Sequence, residues 1–343
     1  MPRKLNSSTD VARLAGVSQA TVSYVLNASG GKSISEETRQ RVFEAARQLG
    51  YRSNRLSHGV LRGRTGLIGV VIPRIDHSFY GGILQGIHAE CAAQDYHVLL
   101  TRAWDEQGQE PEQISRLIEY RVDGIVCIAD NWGLPRLQHW LAEIVEKQIP
   151  CVNVDDYSQS ALLDCIVTDD VAGAQMAVRH LIGLGHRRIA HLCVSNSTTA
   201  DDRWRGYELA LTESGLPLRP EWIAGNTYDP AQAASAVRDL LDLPTPPTAV
   251  FAANDQLAEV VLLEAEQRHL RVPEDLAVVG YGDLDQAQGR HLTTVTQRPK
   301  GIGRAAVSRL RECIQDPDRT PERVTLPTEL LIRRSCGAKG LAE

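Results

Sequence analysis

From Thr65 onward the chain repeats one pattern, a short apolar run followed by an amphipathic segment, and no other feature restricts the fold as much. Gly66–Pro73 reads Gly-Leu-Ile-Gly-Val-Val-Ile-Pro. Comparable runs recur at 97–100, 124–128, 151–154, 166–167, 189–194, 249–252 and 277–279. Runs so short and so uniformly apolar predict parallel strands buried on both faces. Helical periodicity marks 83–94, 112–120, 172–184, 204–214, 231–241, 256–268 and 301–315. Strand and helix in alternation give an α/β fold with parallel sheets. Roughly ten such units exceed one doubly wound sheet, so two lobes are expected. Ligands of such sheets sit beyond the carboxyl ends of the strands, and a cleft between lobes is a natural pocket.

The first fifty residues follow a different pattern. Thr9–Asn27 reads as two short helices joined at Gly16-Val17-Ser18. Val11, Ala12, Leu14 and Ala15 give the first an apolar face. Val22, Val25 and Leu26 give the second the spacing of a helix that buries one side. Gly16 can end the first in the left-handed conformation, and Ser18 can cap the second. A short second helix with polar residues at its start has the form of a helix-turn-helix recognition helix; a plain helical hairpin is the other reading. A third helix follows Ser35, with Glu36 and Glu37 in its first turn and Gly50 at its end.

Charge separates the two parts. The net formal charge is −6, but residues 1–64 carry 11 Lys/Arg against 4 Asp/Glu. A basic head on an acidic body suggests a polyanion-binding module joined to something else. Residues 52–64 form a basic connector, either a linker or a segment that orders on DNA. The seven cysteines are scattered, with no CxxC, and Cys127, Cys151 and Cys193 fall in apolar runs. They read as small core residues of a reducing cytoplasm. The N-terminus carries no apolar signal region and no run approaches a membrane span.

Catalytic signatures are lacking. There is no GxGxxG after a strand, no GxxxxGK[ST] and no HExxH, and Gly301-Ile-Gly-Arg304 lacks the phosphate-loop spacing. The ten histidines do not cluster. His186 and His191 are expected to cap or solvate the ends of a short strand. The acidic pairs Asp155-Asp156 and Asp169-Asp170 suit helix caps as well as acid–base chemistry. No cofactor or metal site is expected.

The ordered set of motifs resembles the LacI/GalR bacterial transcriptional regulators over residues 5–335. Asp10–Ser18 with Thr21–Asn27 is similar to that family's DNA-reading signature. Ser35–Arg39, Leu49-Gly-Tyr51, Leu184-Gly-His-Arg-Arg-Ile189 and Arg203-Trp-Arg-Gly-Tyr207 follow in register. So do Thr248–Asp255, Val272–Asp275, Val279-Gly-Tyr281, Leu292–Val295, Gln297-Arg-Pro299 and Glu329–Arg334.

The resemblance implies a homodimer that reads a near-palindromic operator in double-stranded DNA. Gln19, Ala20 and Tyr24 fall on its base-reading positions. Gln19 suits adenine and Ala20 suits a thymine methyl. Ser7, Ser18, Thr21, Ser23 and Asn27 are expected as phosphate contacts or local caps. The connector corresponds to a hinge helix that enters the minor groove, carried here by Asn54, Leu56, His58 and Val60. It departs from the usual Pro-Asn-x-x-Ala-Arg-x-Leu, and Gly59 disfavours helix by up to about 1 kcal/mol, so weaker ordering is expected.

The body resembles a periplasmic-binding-protein-like sensor. Phe79, Tyr80, Asp155, Arg203, Tyr228, Asn254 and Asp283 are the expected effector contacts, with Arg203 offering its fork. Gly282 stands where the family carries an acid, and Asp283 comes one residue late. An aromatic with bidentate polar groups favours a sugar or sugar derivative. A purine or other metabolite is the alternative, disfavoured by Asp156 where stacking on a base calls for an aromatic. A small-molecule binding protein without DNA function is the remaining class.

The expected architecture is an all-α helix-turn-helix domain at 1–51, a hinge segment at 52–64, a two-lobed α/β body at 65–335 and a tail at 336–343. The first lobe is expected over about 65–164 with a returning segment at about 298–328, the second over about 165–297. The expected function is a cytoplasmic transcriptional repressor, not an enzyme, whose operator affinity a small-molecule effector controls.

Overall fold

A computed structural model describes residues 6–26, 34–51, 64–73, 75, 77–102, 113–128, 142–155, 162–194, 198–225, 227 and 229–338. The chain divides into two compact units, Met1–Thr65 and Gly66–Glu343. The division coincides with the change in charge and periodicity.

The first unit holds three helices, α1 (Ser8–Ala15), α2 (Gln19–Leu26) and α3 (Glu36–Leu49). Ser7 and Asp10 form a reciprocal cap at the start of α1. The Asp10 amide donates to Ser7 Oγ at 3.3 Å, and the Ser7 amide donates to Asp10 Oδ2 at 2.9 Å. Gly16 ends α1 at φ 67°, and its amide donates to the Ala12 carbonyl. Ser18 Oγ accepts from the Thr21 amide at 3.1 Å, and Ser35 caps α3. Val11, Ala12, Ala15, Val22, Val25, Val42, Ala45 and Ala46 make the core. Leu14, expected on the buried face of α1, is 51% exposed instead. The interior holds mostly alanine and valine, so α1 and α3 pack closely and Leu14 falls outside their contact.

The second unit contains two six-stranded sheets. The first is built from β1 (Leu67–Ile72), β2 (His97–Arg102), β3 (Gly124–Ile128), β4 (Cys151–Val154), β5 (Asp164–Thr168) and β11 (Arg323–Leu326). The second is built from β6 (Ile189–Cys193), β7 (Ile223–Gly225), β8 (Ala249–Ala252), β9 (Ala277–Tyr281), β10 (Thr293–Thr296) and β12 (Glu329–Leu331). The strand orders are β11-β5-β4-β3-β1-β2 and β12-β10-β9-β8-β6-β7. All pairings are parallel except β12 on β10. Each sheet therefore contains the same doubly wound order, and each reverses direction between its first and third strands, where ligands of open α/β sheets bind.

The helices that cover the sheets are α4 (Ser78–Ala93), α5 (Gln113–Glu119), α6 (Asp170–Gly183), α7 (Thr198–Glu213), α8 (Pro230–Leu241), α9 (Asp255–Gln267), α10 (Asp285–Gly289) and α11 (Pro299–Gln315). In the first lobe α4 and α11 share one apolar layer. Gly86 and Gly303 make their close approach possible. A Cβ on Gly86 would overlap the Lys300 carbonyl, and one on Gly303 would overlap the Ile83 carbonyl. In the second lobe α6 and α7 cover one face of the sheet, with α8 and α9 on the other.

Three segments pass between the lobes: Thr168–Asp170, Gln297–Pro299 and the turn from β11 to β12. Strand β5 belongs to the first sheet, so the second lobe begins after Thr168 rather than near residue 165. β12 returns the chain to the second lobe after residue 328. His191 does not sit at a strand end as expected. It lies inside β6, fully buried, its ring stacked with Phe251 and Tyr207 at 5.1 Å each. Burial lowers its pKa to about 4, so the ring is neutral. All seven cysteines are free, and all but Cys193 are buried.

Candidate nucleic-acid interface and interlobe cleft

Helix α2 has two unlike faces. Val22 and Val25 are buried, whereas Gln19, Ala20 and Tyr24 are exposed. Gln19 Nε2 donates to Ser8 Oγ at 2.9 Å, which fixes its amide at the helix entrance. A glutamine amide, a methyl and a phenol are thus all open to solvent on this helix; an amide matches adenine and a methyl matches the thymine methyl in a major groove. Ser7 and Ser18 act as helix caps, and Thr21 Oγ1 lies 2.9 Å from Ser18 Oγ. Ser23 is half-buried on the same helix. Asn27 and the hinge positions Asn54, Leu56, His58 and Val60 lie outside the described residues, as does Tyr228.

In the body, Asp170 gathers the crossover segments. Its side chain is fully buried, in the first turn of α6. Oδ1 accepts from the Thr168 hydroxyl at 2.6 Å, the Tyr281 hydroxyl at 3.0 Å and Gln297 Nε2 at 3.2 Å. Oδ2 accepts from Arg203 Nε and Nη2 at 3.0 and 2.9 Å. Thr168 and Gln297 stand on two different crossovers and are themselves bonded, Gln297 Nε2 to Thr168 Oγ1 at 2.7 Å. Burial, and then the Asp170 carboxylate, push the Tyr281 hydroxyl well above its usual pKa, so it remains a donor.

Arg203 is more occupied than the sequence suggested. Its fork is on Asp170, Nη1 donates to the Ala253 carbonyl at 2.7 Å, and its plane lies 4.0 Å from the Tyr281 ring centroid. Asp283 is also engaged. It has φ 54° and pairs with Arg333 Nη2 at 2.6 Å. Because Gly282 precedes it at φ 125°, the loop turns the carboxylate towards Arg333. Asn254 caps α9, its Oδ1 accepting from the Leu257 amide at 2.8 Å. It lines a separate cavity of about 390 Å³ with Gln256 and Gln286.

A cavity of about 560 Å³ lies between the lobes. Phe79 and Gln85 border it from α4, Asp283 and Gln288 from the second lobe, Arg298 from the second crossover and Lys300 from the first turn of α11. Phe79 and Tyr80 meet edge to face at 5.6 Å and both pack within the first-lobe core, with Phe79 also reaching the cavity wall. Asp155 follows β4 at φ 57°, its amide donating to the Ile166 carbonyl at 3.0 Å. The structure thus brings Phe79 and Asp283 to one cavity, while Arg203 lies at the crossovers.

Sequence reasoning missed Asp170, Tyr281 and Gln297 as a network, and it missed Asp255. The Asp255 carboxylate accepts from the Thr294 hydroxyl at 2.5 Å and the Leu284 amide at 2.8 Å. Burial, helped by the charge of Asp283, lifts its pKa to about 6 against those hydrogen bonds. The loop it holds carries Leu284, which packs into the first-lobe apolar layer. The one available signal was the acidic pair Asp169-Asp170: Asp169 caps α6, which leaves Asp170 for another purpose.

Known proteins resemble this chain along most of its length. The model of bacterial regulatory proteins of the lacI family matches residues 9–54, and a periplasmic binding protein-like domain matches 178–336. The HTH-type transcriptional repressor PurR of Aliivibrio fischeri is 30% identical over 335 residues, covering 95% of this chain and 97% of PurR. The chain belongs to the lacI family of bacterial regulatory proteins. Catabolite control protein A of Priestia megaterium is 31% identical, covering 95% of this chain and 98% of its own. A solved lac repressor dimer, bound to operator and the anti-inducer ONPF, has a TM-score of 0.84 at 26% identity, covering 98% of this chain and all of that one. A complex of the transcriptional regulator CelR with cellobiose has a TM-score of 0.68 at 28% identity, covering 96% and 99%. This lacI-family chain is accordingly a DNA-binding transcriptional repressor with an effector-binding body. Among the described residues, no helix is long and apolar enough to cross a membrane.

Proposed function

We propose that this repressor responds to a sugar or sugar derivative held between the two lobes, and that Gln19, Ala20 and Tyr24 read operator bases. The cavity bordered by both lobes and a crossover, with Phe79 on one wall and amide and charged groups opposite, carries the reading. A ring face and several polar hydrogen-bonding groups are what a polyhydroxylated ring requires. The similar CelR structure holding cellobiose supports the same class. The body works by binding, in the cytoplasm, and not by catalysis.

Control follows from the crossovers. An effector that contacts both lobes binds their two arrangements unequally and shifts the population between them. The Asp170 network ties that shift to the segments through which the lobes are joined. Arg203 therefore acts through Asp170, whose carboxylate its fork holds.

Thermal-shift screening of the full-length chain against sugars and purines tests the class. A sugar that raises the melting temperature and alters operator binding supports the proposal. A response to purines alone overturns it. In Arg203→Ala the effector response is expected to disappear while operator binding persists, and an unchanged response removes Arg203 from the site.

A further inference from the structure

At the end of the second lobe opposite the crossovers lies a groove of about 670 Å³. It sits at the amino ends of β6 and β7, about 17 Å from the carboxyl end of the five-residue β6 at 3.3 Å per residue. Trp222 forms its buried floor, its indole N–H donating to the Thr245 carbonyl at 3.2 Å. Leu216 and Pro244 form its walls, and Arg187, Arg188 and Arg219 form its rim. Arg219 is offset by Glu221 at 3.4 Å.

Arg187 and Arg188 differ from most arginines of this lobe. Arg179, Arg203, Arg238, Arg268, Arg271, Arg290 and Arg333 each pair with a carboxylate. Arg187 and Arg188 are held by backbone carbonyls, with no ion-pair partner among the described residues. Arg187 Nη1 donates to the Ile182 and His186 carbonyls, both at 3.0 Å. Its Nε–Nη2 edge stays open. Arg188 Nε donates to the Pro246 carbonyl at 2.8 Å, and its Nη1–Nη2 edge stays open. Each guanidinium is thus oriented by the backbone while keeping a two-donor edge, the geometry that matches a phosphate.

We propose that this groove is a second ligand site, for a small organic phosphate whose apolar body lies against Trp222 and Leu216 and whose phosphate meets Arg187 and Arg188. The two unpaired charges attract the dianion, and the apolar walls select an aryl or alkyl ester over free phosphate. The site lies within one lobe, so its occupancy is independent of the interlobe cleft.

Calorimetric titration of the full-length chain with phenyl phosphate tests this, with inorganic phosphate and benzyl alcohol as the two half-ligands. Saturable binding of phenyl phosphate is expected, at least tenfold tighter than either half-ligand. The double variant R187Q/R188Q should weaken it at least tenfold with an unchanged melting temperature. R187K/R188K, which keeps the charge but loses the paired donors, should weaken it less. Titration of the unaltered chain that does not saturate overturns the proposal. So does equal affinity in a folded R187Q/R188Q protein.

Discussion

Asp170 receives five hydrogen bonds on two oxygens with no water-exposed surface, so removing a donor leaves part of a charge unpaired. Deleting the cation is the severe case. Arg203→Gln is expected to cost about 3–5 kcal/mol, because a buried carboxylate loses its counter-charge. Asp170→Asn combined with Arg203→Gln should cost clearly less than the two single changes added together, measured as urea midpoints in a double-mutant cycle. An additive result would show that the pair is not coupled. Asp255 gives a pH prediction. Its pKa is raised to about 6, so between about pH 4 and 6 the folded chain holds a proton that the unfolded chain releases. The Asp255 contribution to stability therefore falls as pH rises through that window, by up to about 3 kcal/mol. Asp255→Asn should remove that part of the slope, and melting curves from pH 4 to 7 with the same slope in both proteins would contradict it. Neither carboxylate could be ranked from sequence. Apart from Thr168, the partners of Asp170 lie 33, 111 and 127 residues away, and only the fold brings them together.

The strands readable in the sequence are the continuous apolar runs, such as β1 and β3; β2, read the same way as buried on both faces, is instead an edge strand of exposed and half-buried residues, and the buried β10 escaped because three of its four residues are threonine. β11 and β12 hold only exposed and half-buried residues, and they join their sheets at the edge opposite β2 and β7. Their short mixed sequences resemble turns, which is why the returns between lobes were harder to place. Helix ends were legible where a cap has a fixed chemistry, as at Ser7, Ser18, Ser35, Gly16 and Gly50. Gly86 shows where local rules give the wrong sign. Helix propensity alone predicts that Gly86→Ala stabilises α4 by about 1 kcal/mol. The Lys300 carbonyl occupies the space of that methyl, so α4 and α11 must separate. A net loss of about 1–3 kcal/mol is expected from overpacking. A denaturant midpoint at or above that of the unaltered chain would show that the two helices tolerate the separation.

For the whole molecule, the basic head and acidic body were visible in charge alone, and the division at Thr65 matches them. The two lobes repeat one strand order and are joined by three crossovers, two of which meet at Asp170. This arrangement lets a ligand between the lobes act on the whole body by changing how the crossovers pack. The effector class was less legible than the cleft. Arg203 and Asp283, two of the charged groups expected among the effector contacts, are each paired within the protein. The central claim is that a dimer reads DNA through α2 under effector control. Selecting bound sites from a random duplex DNA pool on the full-length chain tests it most directly, with and without a metabolite extract. A two-fold symmetric site is expected, and Gln19→Ala should change the base preference at one position in each half-site. Binding that is salt-sensitive but independent of sequence under both conditions would contradict the account.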